Sequence, residues 1–199
     1  MTLQLVSITV IIPVPVLFLC FVRMTLVLGA SGVGKTLLLK RLSSCSSKGT
    51  YTDLEEPPST IPTVGTNLVN ISMGRKHDIT LREMGGCMGP IWKNYFKECS
   101  ALIFVVDVSN RMQVSASCIQ LLEALTNGDV QFVPVLLILN KIDMPNPMTR
   151  TELDTTFQLK SILGAAKQDI SIIEASAKDG QGLEEIVKWL QQHCKEIVG

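Results

Sequence analysis

The string GASGVGKT, residues 29–36, limits what this chain can fold into more than any other feature. It fits G-x-x-x-x-G-K-[ST] in full and stands between an apolar run, MTLVLG, and a stretch with helical spacing, which is the context the pattern requires. Gly29, Gly32 and Gly34 let the main chain curl, with Ala30, Ser31 and Val33 between them, so that successive N–H groups point inward at a phosphate. The N-terminus of the following helix adds partial positive charge. Lys35 can then reach the β- and γ-phosphates as a point charge, and the Thr36 hydroxyl can ligate Mg²⁺. A nucleoside triphosphate is the expected ligand class. The motif alone leaves the base open.

From Met24 onward apolar strands alternate with amphipathic helices, the pattern of an α/β domain built on a mostly parallel sheet. Strands are expected at MTLVLG, TNLVNISM, DITLREM, ALIFVVDV, FVPVLLILN and ISIIEAS. The second and third are joined by the short polar GRKH, which predicts a hairpin and hence one antiparallel pair. The nearly unbroken apolar runs at 101–106 and 133–139 suit strands covered on both faces. Helices are expected at about 35–44, 113–126, 151–160 and 182–196, the last with Leu183, Ile186, Val187 and Leu190 at helical spacing. The polar, proline-bearing stretch from Ser43 to Pro62 is the longest expected loop, and loops of that length are usually functional.

NKID, Asn140 to Asp143, follows directly on an apolar strand, at the end where open α/β sheets bind ligands. Guanine presents N1–H and an exocyclic amino group side by side, so the Asp143 carboxylate can accept both hydrogen bonds. Adenine offers no such pair, and a site built to hydrogen-bond rejects ligands that leave its groups unpaired. Asn140 is expected at the other edge of the purine, with the aliphatic stem of Lys141 covering the ring. SAK, Ser176, Ala177 and Lys178, follows the last strand and is expected to bring a main-chain N–H and a lysine stem to the base edge. The four-residue motif is weak alone, since an Asx-type turn explains it; its place downstream of a phosphate cradle gives it weight.

Size and charge narrow the partners. At 199 residues the chain has room for one ordinary domain, and eighteen basic residues balance eighteen acidic ones, so no overall field draws it to nucleic acid. The six cysteines are scattered singly, without a C-x-x-C pair, and are expected to be reduced thiols of an intracellular protein, most of them small buried apolar groups. Residues 1–23 form an apolar N-terminal extension with no charge before Arg23 and with Pro13 and Pro15 in its middle, a poor helix. It has three readings: a membrane-interacting extension, an apolar arm packed on the domain, or a non-native start with translation beginning at Met24, the last being preferred. Residues 24–199 are expected to be the folded domain.

Taken in order and spacing, GASGVGKT, PTVGTN, the glycine pair at 85–86, NKID and SAK resemble the small Ras-like GTPases. Within them, TIPTVGTN and the aromatic run IWKNYF are similar to the two switch regions of the Arf and Arf-like branch. The resemblance covers about residue 24 to the C-terminus. It implies a Ras-like P-loop NTPase fold, with a six-stranded mostly parallel sheet, one antiparallel hairpin strand and helices on both faces. It also implies GTP and GDP as ligands with Mg²⁺, and effector and regulatory proteins binding at switch I and switch II of a cytoplasmic monomer. Thr63 would join Thr36 on Mg²⁺, and Gly86 would offer its main-chain N–H to the γ-phosphate, so both loops relax when that phosphate leaves. The hairpin between the switches, with Trp92 and Phe96 beyond it, is expected to form the effector face, a place in the core being the equal alternative for Trp92.

The chain departs from that family at informative positions. Glu83 stands where the family has an aspartate that holds Mg²⁺ through water, longer by one methylene. Cys87 stands where the family places the glutamine that orients the attacking water, and a thiol cannot offer a carbonyl acceptor and an amide donor together. Position 2 is Thr2, without the glycine that carries an N-myristoyl anchor, and HCKEIVG at the C-terminus is no prenylation box. Membrane contact is therefore expected only through residues 1–23. The expected function is a GTP-binding molecular switch with slow intrinsic hydrolysis. The alternatives are a hydrolysis-deficient GTP-binding scaffold regulated by exchange alone, and an ATP-using P-loop kinase, which NKID does not support.

Overall fold

The computed structural model describes residues 24–51, 54–73 and 78–194. The expectations for residues 1–23, for the GRKH turn and for the last residues of the final helix lie outside them. A six-stranded sheet runs β2-β3-β1-β4-β5-β6, with β1 Met24–Leu28, β2 Thr66–Ser72, β3 Asp78–Met84, β4 Cys99–Asp107, β5 Val135–Asn140 and β6 Ile170–Ala175. Only β2 and β3 pair antiparallel; β1 pairs parallel with β3 and β4, and β4, β5 and β6 pair parallel in turn. The expected architecture, a mostly parallel sheet with one antiparallel strand, is the one observed.

Strand alternation explains why the sheet is covered on both faces. Leu26, Leu28, Leu102, Phe104 and Val106 point to one side, where they meet Met84, Trp92 and Leu121. Val27, Ala101, Ile103 and Val105 point to the other, against Leu38, Leu42, Ile186 and Leu190. β1, β4 and β5 thus feed two cores at a period of two residues, and β5 is buried along its whole length.

The helices are α1 Lys35–Lys48, α2 Arg111–Leu125, α3 Arg150–Thr156, α4 Leu159–Ala165 and α5 Leu183–His193. Local chemistry sets several ends. Asn110 caps α2 by accepting from the Gln113 amide, Thr149 and Glu152 make a capping box on α3, and Gly49 closes α1 with its N–H on the Cys45 carbonyl. Helix α1 runs to Lys48, so the first residues of the expected loop at 43–62 belong to it. The single helix expected at 151–160 is two, parted at Gln158, whose φ of 51° no α-helix accommodates. Residues Gly86–Glu98 form a 3₁₀ helix with Pro90 inside it, where the sequence pattern predicts no helix. No helix among the described residues is long and apolar enough to cross a membrane.

Trp92 takes its core alternative, and Phe96 corrects the expectation of an outward effector face. Both are buried, Trp92 stacking edge-on against Phe104 at 6.3 Å, so they belong to the core beneath the second switch and not to its outer face. Exposed apolar side chains are found instead at Ile61, Val64, Leu68 and Ile91, on the first switch, the hairpin and the outer side of the 3₁₀ helix.

Candidate functional site

Parallel pairing brings the carboxyl ends of β1, β3, β4, β5 and β6 to one edge, and the register places Asp107 opposite Asn140 and Asn140 opposite Ala175. Each strand then delivers its own group there: the cradle after β1, Glu83 near the end of β3, the glycine pair after it, Asp107 at the end of β4, Asn140 at the end of β5 and Ser176 after β6. Every expected site residue is at or just beyond these strand ends or on the first turn of α1, except Thr63, which the loop before β2 carries.

At the phosphate end, Lys35 is buried and donates to the carbonyls of Gly29 at 2.7 Å and Ala30 at 2.9 Å. Burial pulls its pKa down to about 8, against the opposing pull of Glu83 and Cys87. A desolvated ammonium at the mouth of an amide-lined loop is a strong anion trap. Ser31, Gly32, Gly34, Thr36, Pro62 and Thr63 line the cleft beside it, together with Glu83 and Gly86. Gly86 has no room for a side chain: a Cβ there would lie 2.2 Å from the Ser31 nitrogen. The second switch therefore rests directly on the cradle. Trp92 pins this turn from below, its ring N–H donating to the Gly85 carbonyl at 3.2 Å.

The hydroxyl oxygens of Thr36 and Thr63 are 3.0 Å apart, and both donate to one oxygen of Glu83, Thr63 at 3.0 Å. Glu83 is buried, and its other oxygen has no partner among the described residues. A buried carboxylate oxygen left unpaired is costly, and two hydroxyls converging on the same carboxylate supply an all-oxygen donor set. Oxygen donors of this kind, few in number, suit Mg²⁺, which keeps several waters and takes phosphate oxygens for the rest. The residues present fit that ion.

At the other end, Asp143 accepts from the Ser176 hydroxyl at 2.7 Å, which fixes one carboxylate oxygen and leaves the second free to turn outward. Lys141, at φ 68°, pairs with Asp107 at 2.7 Å, and Asp107 also accepts from the Ser109 N–H and hydroxyl. That ion pair holds the lysine stem across the cleft. The fully buried Asn140 donates to the Val33 carbonyl at 2.8 Å and accepts from the Ala177 N–H at 3.2 Å. It therefore ties the cradle, the NKID turn and the SAK turn together. Asp107 was missed in the sequence, where an acid at the end of an apolar run is the only signal; Arg41, discussed below, left none.

Cys87 is exposed, whereas Cys45 and Cys99 are buried. Burial raises the Cys45 thiol and pushes Cys99 up to about 12, so both stay protonated at neutral pH. Among the described cysteines, maleimide at pH 7 is expected to modify Cys87 first, with Cys99 and Cys45 lagging, as peptide mapping by mass spectrometry would reveal. Equal rates at Cys99 and Cys87 would contradict the burial.

Comparison with known proteins returns the same picture. The model of the ADP-ribosylation factor family matches residues 21–194. Human ADP-ribosylation factor-like protein 16 is 51% identical over 168 residues, 84% of each chain, and ADP-ribosylation factor-like protein 3 of Chlamydomonas reinhardtii is 34% identical over 173 residues, 85% of this chain and 89% of that one. Among solved structures, the Arl6 BBS3 small GTPase from Trypanosoma brucei, with bound nucleotide analogue GppNp, superimposes with a TM-score of 0.70 at 23% identity, covering 85% of this chain and 95% of that one. At that identity the likeness speaks for the fold.

Proposed function

The chain belongs to the ADP-ribosylation factor family of small GTPases, and from that premise we propose that it is a GTP-binding switch with slow intrinsic hydrolysis, regulated and read through its two switch segments. The observation that carries the reading is the convergence of Thr36, Thr63 and Glu83 beside a buried Lys35, with Gly86 resting on the cradle.

Lys35 and the cradle amides bind and orient the polyphosphate, while Asp143, held by Ser176, reads the guanine edge. Thr36, Thr63 and, through water, Glu83 would hold Mg²⁺, which neutralises charge on the β- and γ-oxygens when bound. Thr63 and Gly86 lie on separate loops, so a γ-phosphate that engages both draws the two switches together, and its loss frees them. Ile61, Val64, Leu68 and Ile91 then supply an apolar surface whose arrangement depends on the nucleotide. Cys87 leaves the attacking water without an amide to orient it. Bound triphosphate should accordingly persist. Residues 24–199 are proposed as the GTPase domain, working as a monomer.

Trp92 gives a direct report on the switch, because its ring N–H holds the Gly85 carbonyl. Exchange of GDP for a non-cleavable GTP analogue is expected to shift tryptophan emission, and the shift should survive Trp189→Phe but vanish in Trp92→Phe. Identical spectra in the two loaded states would remove the switch reading.

A further inference from the structure

Arg41 lies on α1 beside Lys40, and only Arg41 is buried, at 6% exposure. A guanidinium taken out of water is costly unless its N–H groups are satisfied. Among the described residues its hydrogen bonds all go to main-chain carbonyls: Nε to Ala177 at 3.3 Å, and Nη2 to Lys178 at 3.3 Å and to Glu55 at 2.6 Å. These acceptors lie in two segments far apart in sequence. Ala177 and Lys178 follow Ser176, which holds Asp143, and Glu55 begins the run that leads to Thr63.

A second observation, independent of Arg41, joins the same two segments. Gly180, at φ +89°, sits so close to them that a Cβ would lie 2.6 Å from the Tyr51 carbonyl oxygen and 2.8 Å from the Leu54 side chain. The loop after β6 and the stem of the first switch are thus in direct contact, with Arg41 bridging them from below. The Lys48–Glu55 ion pair at 3.0 Å adds an outer fastening, but both partners are exposed and it contributes little. Arginine suits the bridge because its planar fork presents N–H groups in fixed, diverging directions, where lysine has one point charge.

We infer that Arg41 is a positioning residue that couples the base-reading loop to the stem of switch I, so that a base seated on Asp143 helps to order the loop carrying Thr63. The inference rests on the guanine-reading role given above to Asp143. A bound base steadies residues 176–182; Arg41 and Gly180 pass that restraint to Tyr51, Leu54 and Glu55; less conformational freedom then remains to be lost when Thr63 is drawn in. By linkage the effect is reciprocal, and an ordered switch I tightens the hold on the base.

Hydrogen exchange over residues 55–65 tests it, with the full chain saturated by non-cleavable triphosphates of guanine or of hypoxanthine, which lacks the exocyclic amino group and so one bond to Asp143. In the wild type, switch I is expected to exchange about fivefold faster with the hypoxanthine nucleotide. In Arg41→Met both complexes should exchange at the same, faster rate. A purely structural role for Arg41 would lower the melting temperature without touching this base dependence. Should Arg41→Met not fold, Arg41→Gln carries the same comparison. Base-independent exchange in the wild type, or base dependence kept in the variant, overturns the link. A wild type that binds neither triphosphate sinks the guanine reading instead, so the two failures are distinguishable.

Discussion

Replacing Cys87 with glutamine is expected to accelerate single-turnover hydrolysis of bound GTP about tenfold or more, from a slow wild-type rate. Gly86 is pressed against Ser31, so residue 87 is held at the mouth of the cleft, and Cys87 is exposed there. A carboxamide at that position can accept a hydrogen bond from the attacking water and donate one toward the transferring phosphoryl group; a thiol does neither well. Cys87→Ala should then behave like the wild type, because the thiol contributes no orientation to lose. A wild-type rate that is already rapid and unchanged in Cys87→Gln would refute this account of the thiol.

The second large effect concerns the base. Asp143→Asn is expected to weaken GDP binding roughly 10³-fold, since the amide keeps one acceptor and must turn a donor toward one of guanine's two adjacent N–H groups, where the carboxylate offered two acceptors. Ser176→Ala removes only the hydroxyl that fixes the carboxylate at 2.7 Å and is expected to cost about tenfold. The order of the two effects matters as much as their size. If Asp143→Asn left guanine preference intact, Asp143 would not be the residue that reads the base. Competition of unlabelled ATP and GTP against a fluorescent guanine nucleotide measures both variants on one scale.

How legible all this was in the sequence depended on whether the determinants were local. The cradle could be read because its glycines, lysine and threonine are contiguous and fixed in order. The sheet could be read because β4 and β5 carry nearly continuous apolar runs and the sequences of β2 and β3 flank the short polar string GRKH. The pairing of Thr36 with Thr63 and Glu83 was reached only through resemblance, since those residues come from three elements that meet by topology alone. Phe96 was misplaced, and Trp92 stood between surface and core, because an aromatic residue on a short helical segment looks the same whether it faces out or in; here both are buried against the sheet. The end of α1 was misjudged for a different reason. SSCSSK has weak helix propensity, but Cys45 is buried among Leu38, Leu42 and Trp189 and Gly49 caps the end, so packing carries the helix on. Arg41 beside Lys40 gives no signal in the sequence, because which of the two faces inward is decided by the loops that pack on α1.

The apolar residues of the switch region fit the same physical picture. Ile61 and Val64 are nearly fully exposed on either side of Thr63, at 84% and 89%, so any nucleotide that draws Thr63 inward also rearranges them. A partner that recognises this surface would thereby sense the γ-phosphate without touching it.

The central claim is that main-chain amides and Lys35 grip a polyphosphate while Asp143 selects guanine. Isothermal titration of purified protein in magnesium-containing buffer tests it most directly. GDP and a non-cleavable GTP analogue are expected to bind with sub-micromolar dissociation constants, and ATP is expected to give no measurable heat at the same concentrations. Absence of heat with either guanine nucleotide, or equal affinity for ATP, would contradict the account.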